Sequence, residues 1–225
     1  MSRSTPDEWI HRHPELVRLT GKHPFNVEPP LPSLMANGFI TPSALHYVRN
    51  HGAPPKLTFE GHRLSVSGHV ANPITFTMAD LLAMPARELP VTLVCAGNRR
   101  KEENLVQQTI GFNWGAAGVG TSVWKGVLLR DVLLKCGIKK PDQGANHVCF
   151  LGVESMPKGR YGTSITYYAA MDPACDVMLA YEQNGEPLAP DHGYPLRLII
   201  PGYIGGRMIK WLSEITVTTE ESDSA

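Results

Sequence analysis

One segment concentrates groups able to do chemistry: Val91-Thr92-Leu93-Val94-Cys95-Ala96-Gly97-Asn98-Arg99-Arg100-Lys101. An apolar, β-branched run delivers a single thiol to a turn of small residues, and three cations follow at once. Such a strand ends with its sulfur at a sheet edge, beside a strongly positive loop. Positive neighbours favour thiolate over thiol, and a thiolate is a ligand for soft metals. The cations can also hold an anion. The segment therefore points to a cysteine-ligated metal centre acting on an oxyanion, against the plainer alternative of a buried apolar cysteine.

Two further groups resemble parts of a ligand cage. One is Arg49-Asn50-His51, after a short strand. The other is Asp191-His192-Gly193-Tyr194-Pro195-Leu196-Arg197, with Gly205-Gly206-Arg207-Met208-Ile209-Lys210 behind it. Arginine suits phosphate through bidentate hydrogen bonds. Each group alone is most simply a solvated loop charge; together, at strand-to-loop junctions, they suit a phosphate-bearing cofactor. None forms a Walker loop or a GxGxxG fingerprint, so a nucleotide is not indicated. Gly111-Phe112-Asn113-Trp114-Gly115 places aromatics in a glycine-flanked loop, either a core anchor or a wall that dries a substrate pocket.

The positioning elements must come from a chain of 225 residues, enough for one sizeable domain. Formal net charge is zero, from 21 basic and 21 acidic residues, which argues against non-specific nucleic-acid binding. The cysteines Cys95, Cys136, Cys149 and Cys175 form no CxxC pair, so neither a zinc ribbon nor a small disulfide scaffold is expected. Cys136 and Cys149 read as core, and Cys175 as a turn residue. No apolar stretch reaches a membrane span, and the N-terminus lacks a signal-peptide core; a cytoplasmic setting follows as an expectation.

Prolines 24, 29, 30 and 32 make residues 1–36 read as irregular, with 1–20 an irregular N-terminal segment. Alternation from Leu57 to Phe76 suggests a β-meander. Thr77 caps a helix over Met78–Met84, with Asp80 at the capping-box position. Strand 90–95 follows. Gly126–Cys136 reads as the clearest helix, with Gly137 as its stop. His147–Val153, Asp176–Tyr181, Tyr194–Ile200 and Lys210–Thr219 read as strand-like stretches, and Asn184-Gly185 as a hairpin turn. Without a regular βαβ rhythm, the expected class is mixed α+β. The domain spans 21–219, and 220–225 is a polar tail.

In collinear order, several segments resemble the molybdenum-cofactor domain of eukaryotic assimilatory nitrate reductase, in the sulfite oxidase family. They are His23-Pro24-Phe25-Asn26 with Glu28-Pro29-Pro30, Phe39-Ile40-Thr41-Pro42, Arg49-Asn50-His51, Cys95-Ala96-Gly97-Asn98-Arg99-Arg100, Ala189-Pro190-Asp191-His192-Gly193 and Gly205-Gly206-Arg207. The Gly111–Ala117 loop sets the subfamily.

The resemblance implies a sulfite-oxidase-type molybdopterin fold and reduction of nitrate to nitrite by oxygen-atom transfer at a Cys95-ligated Mo-molybdopterin centre. It implies Arg100 and Arg49 for nitrate and Trp114 as pocket aromatic. Arg49, Asn50, His51, His192, Arg197, Arg207, Met208, Ile209 and Lys210 are implied as cofactor contacts, with Glu154 a loosely aligned pterin contact. Family members continue into a β-sandwich dimerisation domain, then haem and flavin domains. On this view the chain is a truncated catalytic domain needing an external electron donor, in the family a cytochrome b5-type haem domain, with haem and FAD on absent domains, no sequence basis for using NAD(P)H by itself, and dimerisation not expected to follow without the C-terminal domain. The alternatives are a sulfite-oxidising enzyme, a cofactor-binding fragment without turnover, and a metal-free oxyanion-binding domain.

Overall fold

The structure is a computed structural model that describes residues 4–156 and 159–224. The first three residues of the N-terminal segment and the last of the polar tail therefore lie outside the described residues. In chain order the elements begin with strands β1 (Val17–Arg18) and β2 (Asn26–Glu28), helix α1 (Leu31–Ala36) and β3 (Val48–Arg49). Next come β4 (Arg63–Gly68), β5 (Ile74–Thr77), α2 (Met78–Leu82), β6 (Ala86–Val94) and the short α3 (Arg100–Glu103). Then follow β7 (Val119–Leu128), α4 (Leu129–Lys135), β8 (His147–Met156), β9 (Gly159–Thr166) and α5 (Tyr167–Met171). The series ends with β10 (Met178–Gln183), β11 (Glu186–Pro187), β12 (Arg197–Ile199) and β13 (Leu212–Thr218).

These strands form three sheets. A small one has the order β1-β2-β3. A five-stranded sheet runs β5-β4-β13-β8-β9, antiparallel except for the parallel β4–β13 pair. A second runs β11-β10-β7-β6, with β12 added alongside β10. The mixed α+β class is as expected, with helices short and sheets dominant.

Successive strand residues point to opposite faces, and the second five-stranded sheet buries both. Leu179, Leu198 and Val127 face a core shared with Leu64, Val66, Phe150, Ile215 and Val217 of the other large sheet. Met178, Ala180, Ile199, Trp124, Val91 and Leu93 turn the other way, into a cluster with Tyr47, Trp114 and Met208. That second face carries the candidate site.

The expected helix over 126–136 is shorter than read. Gly126, Val127 and Leu128 finish β7, paired with Arg87 and Ala86 of β6 and with Ala180, Leu179 and Met178 of β10. Helix begins at Leu129. Apolar Val127 and Leu128 fit either period, and sheet pairing decides. Residues 31–36 are helical despite Pro32, because proline is tolerated in a first turn. The 194–200 stretch forms a strand only over Arg197–Ile199, and Val119–Leu128 and β9 carry strand that the sequence reading missed. The Thr77–Asp80 capping box forms in both directions. Asn184 and Gly185 both take positive φ in the β10–β11 turn.

Leu64 is fully buried between the large sheets. Leu64→Ala should lower the unfolding free energy by about 3 kcal/mol, measured by urea denaturation. A loss under about 1 kcal/mol would mean that this interface is not the main core.

Candidate functional site

The turn after β6 is pinned from several sides. Cys95 N–H donates to Gly118 O (2.8 Å), Asn98 N–H to Cys95 O (2.9 Å), and Arg100 N–H to Gly97 O (2.9 Å). The Asn98 side-chain oxygen accepts Gly118 N–H at 3.0 Å. Arg99 takes a left-handed conformation, φ 65°, and turns outward to pair with Glu102. Lys101 is exposed. Arg100 turns the other way. Its Nη1 approaches Phe112 O at 3.3 Å, in a slot that Gly97 and Gly111 leave open, since a Cβ on either would collide with the guanidinium.

A cavity of about 400 Å³ opens beside this turn. Cys95, Arg100, Arg49, His51, Trp114, His192, Arg197, Met208 and Lys210 line it, bringing together most of the residues singled out in the sequence. Asn50, Arg207 and Ile209 do not line it. Ile209 packs in the main core. Arg207 is exposed, its Nη1 donating to Thr163 and Ser164. Asn50 is fully buried behind the wall, donating to Asp191 Oδ1 at 2.8 Å and accepting from Lys210 Nζ.

Several lining groups carried no strong sequence signal. Tyr161 donates to Gly206 O (2.8 Å) and lies against the His51 ring, centroids 4.8 Å apart. Glu154 stands 3.7 Å from His51 and accepts Gly52 N–H at 3.1 Å. His46 and Tyr47 complete the inner wall, with Tyr47 edge-on to Trp114 at 5.7 Å. An aromatic just before Arg49 was the available clue to Tyr47; His46 and Tyr161 sit at ordinary strand and turn positions with no pattern to mark them.

Electrostatics are set by burial. Arg197 occupies a core-facing position of β12, its guanidinium 5.3 Å from the Trp124 ring centre. Burial pulls its pKa down to about 10. Lys210 donates to Arg49 O (3.0 Å) and Asp191 O (2.9 Å) as well as to Asn50. Burial, then Arg197, still bring it down to about 7. His46 is held near 4 by burial, and His192 well below its ordinary value by burial and neighbouring cations. Both are neutral at pH 7.

The Cys95 thiol overturns one expectation. Burial raises its pKa, outweighing the Gly97 backbone contact and the charges of Arg49 and Arg100. The cations that act on it are those two; Arg99 and Lys101 are not among its causes.

Two features bear on what the cavity accepts. Among the described residues Arg197 Nε is buried without a hydrogen-bond partner, so a polar ligand has a donor available to it. Among the described residues lining the cavity, the carboxylates facing Arg49, Arg100, Arg197 and Lys210 are those of Glu154 and Asp191, and Asp191 is engaged by Arg12 at 2.8 Å. An anionic, polar group fits. Among the described residues no cluster of three or more His, Cys, Asp or Glu could hold a metal, so a metal at Cys95 would draw its other ligands from a cofactor. No helix among the described residues is long and apolar enough to cross a membrane.

Comparison with known proteins gives the family and several relatives. Nitrate reductase [NADH] 1 of Oryza sativa subsp. japonica is 62% identical over 224 residues, covering 98% of this chain and 24% of that protein. Nitrate reductase [NADH] 1 of Arabidopsis thaliana is 60% identical, again over 98% of this chain and 24% of its own. The chain thus spans about a quarter of these relatives. The sulfane dehydrogenase SoxCD from Paracoccus pantotrophus shares the fold, with TM-score 0.76 and 28% identity over 96% of this chain and 51% of that one. Residues 51–225 match the model of the oxidoreductase molybdopterin binding domain, and the chain belongs to that family.

Proposed function

We propose that the chain is the catalytic molybdopterin unit of a nitrate-reducing enzyme, which takes one oxygen from nitrate and releases nitrite and water at the expense of two electrons and two protons. The observation that carries this reading is a lone thiol, Cys95, sharing one cavity with two guanidiniums, Arg49 and Arg100. High identity to plant nitrate reductases supports the choice of anion.

When bound, the molybdenum cofactor supplies a two-electron redox centre capable of oxygen-atom exchange. Cys95 Sγ gives the metal its protein thiolate, and because burial raises the thiol's pKa, binding expels a proton. Arg100, with Arg49, neutralises and orients the substrate anion. Trp114 and the Phe112 ring, over which Arg49 lies at 4.7 Å, wall the site from water. Arg197, His192 and Lys210 hold the cofactor's phosphate, with His51 beside its pterin; Met208 contributes apolar wall. Asn50 acts behind these groups by holding Lys210. Electrons arrive from an external donor, with a haem domain and FAD as the expected supply. Free cysteines throughout suit a reducing, cytoplasmic setting.

Oxidation of a sulfur compound, sulfite in the first instance, is the second reading, suggested by the fold shared with a sulfane dehydrogenase. Cofactor-loaded protein, given reduced methyl viologen with nitrate, or an electron acceptor with sulfite, separates the two. No turnover of either would leave a cofactor-binding domain.

Three outcomes follow for variants. Cys95→Ser should abolish molybdenum-dependent turnover; unchanged nitrate reduction would sink the reading. Arg100→Ala should raise the nitrate KM about tenfold, ~1.4 kcal/mol of lost anion stabilisation, with pterin retained; loss of pterin fluorescence instead would move Arg100 to cofactor binding. Lys210 bears on stability. Its folded pKa is about 7 against 10.5 unfolded, so between those values the unfolded state binds more protons and stability rises with pH. The cost is complete below about pH 7. In cofactor-free protein, wild type should therefore gain stability on Lys210→Met as pH rises from 7 to 9.5 in urea titrations; a constant difference would mean Lys210 titrates normally.

A further inference from the structure

We infer that Glu28, outside the cavity, is a positioning residue that sets the spacing between Arg49 and Arg100. The inference rests on the proposal that these two arginines hold the substrate anion. Glu28 is the last residue of β2, and β2 carries Arg49 directly through its pairing with β3, Asn26 opposite Arg49 and Val27 opposite Val48. At its end the strand makes a second connection. Glu28 Oε1 accepts Gly115 N–H at 2.9 Å, across 87 residues of sequence. A Cβ at position 115 would lie 2.6 Å from that oxygen, so glycine is what admits the carboxylate.

From Gly115 the connection reaches Arg100. Gly115 O accepts Arg99 N–H (2.8 Å), and Trp114 O accepts Lys101 N–H (3.0 Å). Arg100 lies between these two rungs. The same loop holds both guanidiniums: Phe112 O accepts from Arg100 Nη1, and the Phe112 ring lies under Arg49. The β2–β3 pair and the 111–115 loop thus form a bracket with Glu28 at its joint. Like charges facing one cavity repel, and Arg100 is one of the charges acting against the Arg49 cation. With no anion between them they tend to splay, and the bracket opposes this.

Glu28 does not line the cavity, and among the described residues it enters no ion pair. Its other oxygen, Oε2, is buried without a hydrogen-bond partner. The single hydrogen bond to Gly115 is therefore its contribution, and glutamine, which keeps an acceptor oxygen there, can replace it.

The test uses the cofactor-loaded 225-residue protein and compares Glu28→Ala with Glu28→Gln. The measurements are amide hydrogen exchange over 112–115, nitrate affinity by calorimetric titration of the oxidised protein, KM and kcat with reduced viologen, and molybdenum content. Glu28→Ala should speed exchange at least tenfold and weaken nitrate binding and raise KM about tenfold, with kcat and molybdenum within twofold. Glu28→Gln should stay within twofold of wild type throughout. Wild-type nitrate affinity in Glu28→Ala overturns the inference. So does loss of molybdenum with kcat, which marks a merely structural role, and so does a glutamine variant as weak as alanine. If wild type binds nitrate but reduces none, the proposed function fails, while Glu28 is still judged by the titration.

Discussion

Everything around the candidate site depends on one costly arrangement: one buried cation and three partly buried ones with too few anions to match them. Arg197 is a charged residue at a core-facing sheet position, and Lys210, Arg49 and Arg100 share its cavity. Burying an unpaired charge is expensive, and the depressed pKa values of Arg197 and Lys210 express that cost. Glu154 offsets part of it. Asp191 offsets less than its position suggests, because Arg12 takes both its oxygens, Nε to Oδ2 and Nη2 to Oδ1, and Asn50 shares Oδ1. A fold that keeps such an imbalance gains only when a negatively charged molecule enters. The charge of the site therefore suits an anion before any particular anion is considered.

The sheets make the arrangement affordable. Because β6, β7, β10 and β12 bury both faces, one face can supply ordinary core while the other supplies the site floor. The lining residues then arrive from strand ends: Arg49 ends β3, Cys95 follows β6, His192 precedes β12 and Lys210 precedes β13. Side chains converge at these junctions, while Glu154, Tyr161 and Arg197 line the cavity from within β8, β9 and β12, and β8, β10 and β13 carry register shifts of their own. Asn50 ties these junctions behind the wall, since one carboxamide meets both Asp191 and Lys210.

What the sequence disclosed follows from range. Cys95 and Arg100 were legible because turn and cations are contiguous, and the 49–51 and 191–210 groups because their glycines and cations cluster. Sidedness was not legible. Ile209 and Arg207 flank Met208, which lines the cavity, yet one turns into the core and the other to solvent. The state of the Cys95 thiol was misjudged for a related reason: neighbouring charges are visible in a sequence, and desolvation is not. The 126–128 stretch was misread because its strand character comes from β6 and β10, far along the chain. The Tyr161 position depends on the pairing of β8 with β9 and has no local mark.

The turn bearing Cys95 and Arg100 adds one more physical point. Arg99 holds a positive φ that non-glycine residues adopt at a cost of about 1 kcal/mol or more. A relaxed residue there would send the following side chain elsewhere. The strained one faces Arg99 outward, toward Glu102, and Arg100 inward, toward Phe112 O. Adjacent arginines thus take opposite sides, one solvated and one at the cavity. The strain is held by the hydrogen bonds of Arg99 N–H to Gly115 O and of Lys101 N–H to Trp114 O. The 111–115 loop and the cysteine turn are consequently one mechanical unit: a change that frees the loop also releases the conformation that turns Arg100 toward the cavity.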